Sequence, residues 1–282
     1  MILTTNDHSR DAAGLTYIYP VNSRRAGGLS IGINLNTNSA CNWRCIYCQV
    51  PDLQYGRAPD VDIKLLEREL RDFLTEVMQG DFFAQQNIPD AHRIIRDIAI
   101  SGNGEPTSVS EFEQVIETIS KVKSEFTFSS PVKSVLITNG SFMQRETVRA
   151  GIKQLARLNG EVWFKLDSAT VAGMHRINNI SMSIDTVHNN LITVANVCPT
   201  WIQTCVFQFD NQPPSKSECE SYIQFISRIV DDGIPLKGIL LYGIVRPSMQ
   251  PEAPRLSRLP LAWLEKYATE ISKSGIEVRV TH

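Results

Sequence analysis

Leu29-Ser-Ile-Gly-Ile-Asn-Leu35, followed after five residues by Cys41-Asn-Trp-Arg-Cys45-Ile-Tyr-Cys48, is the stretch from which the rest of the chain can be ordered. An apolar run of strand length opens into a polar turn and then into a loop with three cysteines in eight positions. The apolar run recurs at 94–100, 132–138, 161–166, 200–207 and 237–244. These runs are rich in Ile, Val, Leu and Phe, as parallel strands buried on both faces should be. Between them lie segments of helical period. Residues 64–78 are apolar at Leu65, Leu66, Leu70, Phe73, Leu74 and Val77, and 111–122 at Phe112, Val115, Ile116 and Ile119. Segments 142–158, 184–196, 218–230 and 261–272 complete the set. Six βα units predict an α/β fold with parallel strands, either a partial (βα)6 TIM-like barrel or a curved open sheet. Both architectures place ligands at the C-terminal strand ends, so motifs following the strands should converge there.

Composition narrows the class. The 282 residues carry 28 Lys+Arg against 30 Asp+Glu, with 42% hydrophobic and 21% charged residues. Disorder is excluded by this balance, and six cysteines are too few for a disulfide scaffold. A net charge of -2 supplies no field for polyanions, which weighs against a general nucleic-acid binder. Residues 1–14 are polar and lack the apolar core of a signal peptide, so a polar tail is expected before a single domain over 15–282. The longest apolar stretch, 238–245, is far short of the roughly 18 to 20 residues that span a bilayer. A cytoplasmic protein without membrane contact is therefore expected, where clustered cysteines serve as metal ligands or redox groups. Two irregular stretches, 50–60 and 246–260, are placed to shape an active-site mouth; the second holds four of the fourteen prolines.

The C-x3-C-x2-C array would arise from this composition on the order of once in four hundred such chains. Three thiolates on one short loop can hold three corners of an iron–sulfur cluster and leave the fourth iron open. The alternatives are a zinc site completed by a fourth Cys or His, and three merely buried cysteines. Zinc sites usually pair two C-x2-C knuckles, and a second knuckle is missing from this sequence.

With Tyr47 just before its last cysteine, the array resembles the signature of the radical S-adenosylmethionine (radical SAM) superfamily. After the second run, Ser101-Gly102-Asn103-Gly104-Glu105-Pro106-Thr107 resembles that superfamily's Gly-Gly-Glu-Pro segment, which binds the amino group of the methionine moiety; here Asn103 stands between the glycines. Glycines let a backbone approach a ligand, and Glu105 can accept from an ammonium, although such a turn alone would read as a tight loop before a helix. Thr138-Asn139-Gly140 resembles the superfamily's turn after the third strand and reads equally as a helix N-cap turn. Lys165-Leu-Asp167-Ser168 and His175-Arg-Ile-Asn178 are similar to the branch containing the wyosine-base-forming tRNA enzymes and uncharacterised relatives. So are Pro20 to Arg25 with Leu29 to Gly32, and Leu241 to Pro247. Lys165 and Asp167 share strand parity, which suits either a contact to the cofactor's ribose or carboxylate or an internal ion pair. Arg24, Arg25 and Arg246 are candidate anion contacts or simply solvated.

The resemblance implies a [4Fe-4S] cluster on Cys41, Cys45 and Cys48, S-adenosyl-L-methionine as cofactor, and reductive cleavage giving a 5′-deoxyadenosyl radical that abstracts hydrogen from an unidentified substrate. It also implies a reductant such as flavodoxin or ferredoxin. A tRNA substrate is suggested by the branch but not supported by the charge. The other readings are a glycyl-radical activase of a partner protein and a non-catalytic iron–sulfur or zinc module. Cys198, Cys205 and Cys219 lack a tight pair and read as small buried hydrophobes, with Cys205 sharing parity with Gln203 as a candidate hydrogen donor. The five histidines show no metal spacing.

Overall fold

Every predicted strand forms, and each takes its place beside the next. The computed structural model describes residues 13–23 and 27–281; Arg24, Arg25 and most of the polar tail lie outside them. One sheet carries β1 (Ile18–Ser23), β2 (Gly28–Ile33), β3 (Ile95–Ile100), β4 (Lys133–Thr138), β5 (Gly160–Lys165), β6 (Thr200–Val206), β7 (Leu236–Gly243) and β8 (Val278–Thr281), in sequence order. Pairing is parallel from β2 to β8, with Ile31 opposite Ile98, Leu136 opposite Val162, and Ile202 between Phe164 and Ile239. No ladder among the described residues joins β1 to β8, so the barrel is partial. β6, flanked on both sides by parallel strands, is buried at all seven positions, which is why its sequence shows no alternation.

The sequence reading did not contain β1 and β8. β1 is antiparallel to β2 and lies at the sheet edge, the place where a strand tolerates a proline such as Pro20. β8 is a four-residue strand, too short to register as a run.

The crossovers are α1 (Ile63–Gln79), α2 (Phe112–Ser124), α3 (Glu146–Arg157), α4 (Val171–Asn178), α5 (Ile184–Ala195), α6 (Lys216–Asp231) and α7 (Leu261–Ser272). Side-chain caps fix several starts: Asp62 accepts from Leu65 N, Ser183 from Thr186 N, and Ser215 forms a capping box with Glu218. The apolar stripes of α1 and α2 (Leu66, Leu70, Leu74, Phe112, Val115, Ile116) merge with one face of the sheet into a single core. Each of these side chains contributes about 1.5–3 kcal/mol on burial. A second, smaller apolar cluster of Ile46, Tyr47, Cys205 and Phe207 sits apart, where the cysteine loop meets the end of β6. At the N-terminal strand ends, buried Glu161 on β5 receives Lys133 of β4 at 2.7 Å and Lys237 of β7 at 3.4 Å. The two ammonium groups outweigh its desolvation and hold its pKa below the usual carboxylate range. Among the described residues, no helix is long and apolar enough to cross a membrane.

Candidate active site

The cysteine loop is rooted in two buried asparagines that follow β2. Asn34 Oδ1 accepts from Asn36 N (3.1 Å) and from Asn103 N (3.0 Å), and Asn36 Nδ2 donates to Ala40 O (2.8 Å). Ala40 and Cys41 then pair in parallel with Gln54 and Tyr55. Further along, the loop leans on the C-terminus of α4. Helix ends leave carbonyls without intrahelical partners; here those of Ile177 and Asn178 accept from Ile46 N (2.8 Å) and Arg44 N (3.1 Å). The opposite flank is braced by the proline-rich stretch. Met249 N donates to Cys48 O (2.9 Å), Ser248 Oγ to Ile46 O (2.7 Å) and Gln250 Nε2 to Val50 O (2.9 Å), and Arg44 pairs with Glu252 through two hydrogen bonds of 3.1 and 2.6 Å. Thus the segment after β7 shapes the mouth by holding the loop.

Cys41, Cys45 and Cys48 are free thiols in partly buried positions. Burial pushes the thiols of Cys41 and Cys45 up to about 12. N–H groups meet two of the sulfurs: Trp43 N donates to Cys41 Sγ (3.4 Å) and Asn178 Nδ2 to Cys45 Sγ (3.2 Å). Among the described residues, no group of three or more His, Cys, Asp or Glu side chains is gathered around one point to hold a metal ion. Three thiols on one loop, with N–H donors aimed at sulfur, fit the corners of an iron–sulfur cluster.

The Gly102–Pro106 turn follows β3 and packs directly on this root. A Cβ on Gly102 would stand 2.3 Å from Asn34 Oδ1, and one on Gly104 would stand 2.1 Å from Ala40 O. These glycines are therefore required by contact between the turn and the cysteine loop, a reason that close approach to a ligand does not supply. Asn103 reaches Ser39 Oγ at 3.5 Å through Nδ2, and its Oδ1 is buried without a partner. Pro106 opens the short 3₁₀ turn Pro106–Ser108. Glu105, 2% exposed, ties strand ends together. Its Oε1 accepts from Thr107 N (3.1 Å), Thr107 Oγ1 (2.5 Å) and Thr138 Oγ1 (2.6 Å), and its Oε2 from Asn139 N (2.6 Å). Desolvation raises its pKa against the pull of these four bonds. Asn139 in turn donates from Nδ2 to Asn42 Oδ1 (2.9 Å), linking the turn after β4 to the cysteine loop.

Lys165 ends β5, and Asp167 follows two residues on. Asp167 accepts from Tyr47 Oη (2.6 Å), Asn178 Nδ2 (2.8 Å) and Cys205 N (3.0 Å). Lys165 Nζ lies 3.4 Å from Tyr242 Oη and 5.1 Å from the centre of the Tyr47 ring. Desolvation lowers the lysine's pKa, but the surrounding acids Tyr242, Asp167, Cys45 and Cys205 together hold it above its ordinary value. Shared parity thus brings both residues to Tyr47, with Asp167 taking its hydrogen bonds from neighbours other than Lys165.

All twelve predicted site residues fall along this one edge. The sequence reading gave no role to Asn34, Asn36, Thr138, Asn178, Tyr242, Ser248 or Gln250. Asn34, Thr138, Asn178 and Tyr242 stood inside quoted segments, but an uncharged polar residue announces no partner. Cys198 and Cys219 stay apart, Cys198 Sγ donating to Gly160 O (3.6 Å) and Cys219 Sγ to Pro214 O (3.9 Å), whereas Cys205 is buried against Tyr47 of the cysteine loop with its N–H on Asp167. Arg246 is half-buried on the bracing segment.

No family model matches the chain. Among curated proteins, a GTPase Obg from Brachyspira hyodysenteriae is 25% identical over 221 residues, covering 77% of this chain and 29% of that protein. A UPF0026 protein from Helicobacter pylori is 25% identical over 240 residues, covering 84% of this chain and 68% of that protein. The chain therefore spans under a third of the first relative and about two thirds of the second. Solved structures share the fold at 13% identity. TYW1 with a lysine-pyruvate adduct bound superposes with a TM-score of 0.58, over 86% of this chain and 73% of that one. A radical SAM methyltransferase from Sphaerobacter thermophilus gives 0.57, over 90% and 66%. Streptococcus suis SuiB bound to S-adenosylmethionine gives 0.52, over 86% and 44%. The α/β partial barrel of this chain is the fold of these neighbours, a radical SAM methyltransferase among them.

Proposed function

We propose that the chain is a radical SAM enzyme in which Cys41, Cys45 and Cys48 hold a [4Fe-4S] cluster within a single domain over 15–282. The observation carrying this reading is the junction of the three-cysteine loop with the Gly102–Pro106 turn through Asn34, Asn36 and Asn139. Bound there, the cluster and S-adenosyl-L-methionine supply an electron and a sulfonium whose cleavage yields methionine and a 5′-deoxyadenosyl radical for hydrogen abstraction.

The chain's own groups suit the cofactor's polar end. A carboxylate offers about four acceptor positions. Glu105 Oε2 takes only the Asn139 N–H, so it keeps capacity for an ammonium. Asn139 and the backbone of Gly102, Asn103, Gly104 and Pro106 complete that corner. The charged Lys165 suits the methionine carboxylate or the ribose, while Asp167 and Tyr47 brace the loop. Ile46 and Phe207 keep water from it.

The test is anaerobic purification and reconstitution, with iron and sulfide assays. Reduction with S-adenosylmethionine should then release 5′-deoxyadenosine. A flavodoxin or ferredoxin is the expected electron donor. Stoichiometric zinc, or a loaded cluster that never cleaves the cofactor, defeats the proposal.

A further inference from the structure

Asn178 is the last residue of α4 and is 1% exposed. Its backbone carbonyl accepts from Arg44 N, and the next residue closes the helix in the left-handed region (φ 55°), where Asn179 Nδ2 donates to Arg44 O (2.7 Å). This cap turns the Asn178 side chain inward. Both its amide hydrogens are used, one toward Asp167 Oδ2 at 2.8 Å and one toward Cys45 Sγ at 3.2 Å. Its Oδ1 is buried with no partner, an arrangement that costs stability and that folds generally avoid.

The amide orientation is not free. Asp167 already accepts from Tyr47 Oη and Cys205 N, so both its oxygens serve here as acceptors. A flipped amide would set Oδ1 against that carboxylate and lose both donors. Asp167 therefore fixes which end of Asn178 faces the cysteine, and the stranded Oδ1 is the consequence. A donor held on a thiolate sulfur withdraws charge from it and favours the reduced, more negative state of an attached cluster.

We infer that Asn178 is a positioning residue which, oriented by Asp167, holds an N–H against the Cys45 sulfur and raises the reduction potential of the cluster. This inference rests on the cluster reading above. It assigns α4 a second task besides bracing the loop, and it makes Cys45 the ligand whose electronics the protein sets through a side chain.

The experiment compares reconstituted wild type with Asn178→Leu, which keeps bulk and loses the donor. EPR-monitored redox titration gives the midpoint, with iron and sulfide counted in both. At the potential that half-reduces wild type, the reduced-to-oxidised ratio of the variant should fall about tenfold, a shift of about 59 mV for one electron. An unchanged midpoint in a fully loaded variant overturns the inference and leaves the cluster reading standing. A wild type that takes up no iron and sulfide overturns the cluster reading instead. If the leucine variant does not load, wild type labelled with ¹⁵N-asparagine decides. Pulsed EPR of its reduced cluster should show a ¹⁵N coupling, and its absence overturns the inference.

Discussion

Glu105→Ala tests how far the site's carboxylate is a structural part. Four donors converge on it from two strand ends. Truncation lets the Thr107 and Thr138 hydroxyls turn to other acceptors, but the Thr107 and Asn139 N–H groups cannot turn. At about 1–3 kcal/mol for each stranded buried donor, the loss is about 2–6 kcal/mol. Burial raises the pKa of Glu105, so the native state already bears a desolvation cost that truncation relieves, and the lower part of the range, about 2.5 kcal/mol, is expected. With an unfolding entropy of about 2.1 cal/mol/K per residue, a chain of this length loses about 4 °C in Tm. Calorimetry of the metal-free protein at pH 7 reads this without any cofactor. Glu105→Gln should lose about half as much, because whichever way its amide lies, an NH2 faces one N–H donor. A fall of under about 1 °C for the alanine variant would refute the claim that the carboxylate ties these strand ends together. In loaded protein, the same variant should also bind S-adenosylmethionine roughly 10- to 100-fold more weakly, the equivalent of one lost charge-assisted hydrogen bond.

Cys45→Ala should abolish the brown colour of reconstituted protein, and a fully loaded cluster in that variant would contradict the ligand assignment. Gly104→Ala drives a methyl to 2.1 Å from Ala40 O; overpacking of this kind costs about 1–3 kcal/mol or more, and an unchanged denaturant midpoint would show that the turn can back away from the loop. Lys123 donates to Val132 O, Ser134 Oγ and Leu158 O, and desolvation lowers its pKa to about 8. Between about 8 and its ordinary 10.5 the unfolded chain binds a proton that the native chain does not, so this group makes stability rise with pH across that window. Lys123→Met should remove the rise, read as the wild-type-minus-variant difference in unfolding free energy from pH 7.5 to 10.5. A flat difference would mean that the lysine stays charged in its pocket.

Strand positions were legible because most of β2 to β7 is buried, β6 at every position, and apolar runs such as 200–207 have few other uses. β1 escaped notice because Pro20 weakens it on paper, and only the sheet edge makes that proline harmless. The cysteine spacing announced itself through rarity, and Glu105 through its place in a Gly-Asn-Gly-Glu-Pro turn. Asn34, Asn36, Asn178, Ser248 and Gln250 could not be found that way. Each is a neutral amide or hydroxyl, and except for Asn36, whose amide reaches Ala40 four positions on, its significance lies in a partner tens to hundreds of positions distant, as with Ser248 and the carbonyl of Ile46.

The sequence by itself determined the class of fold, six of its strands and the spacing of three cysteines after the first of them, because these depend on local apolar patterning and on side-chain chemistry over short spacings. Only the tertiary structure decided what orients those cysteines. Asp167 turns the amide of Asn178 toward Cys45, Glu105 joins the ends of β3 and β4, and the segment after β7 clasps the loop from its other side. Hydrogen bonds of this kind depend on distance and direction in space, and separation along the chain carries no trace of either.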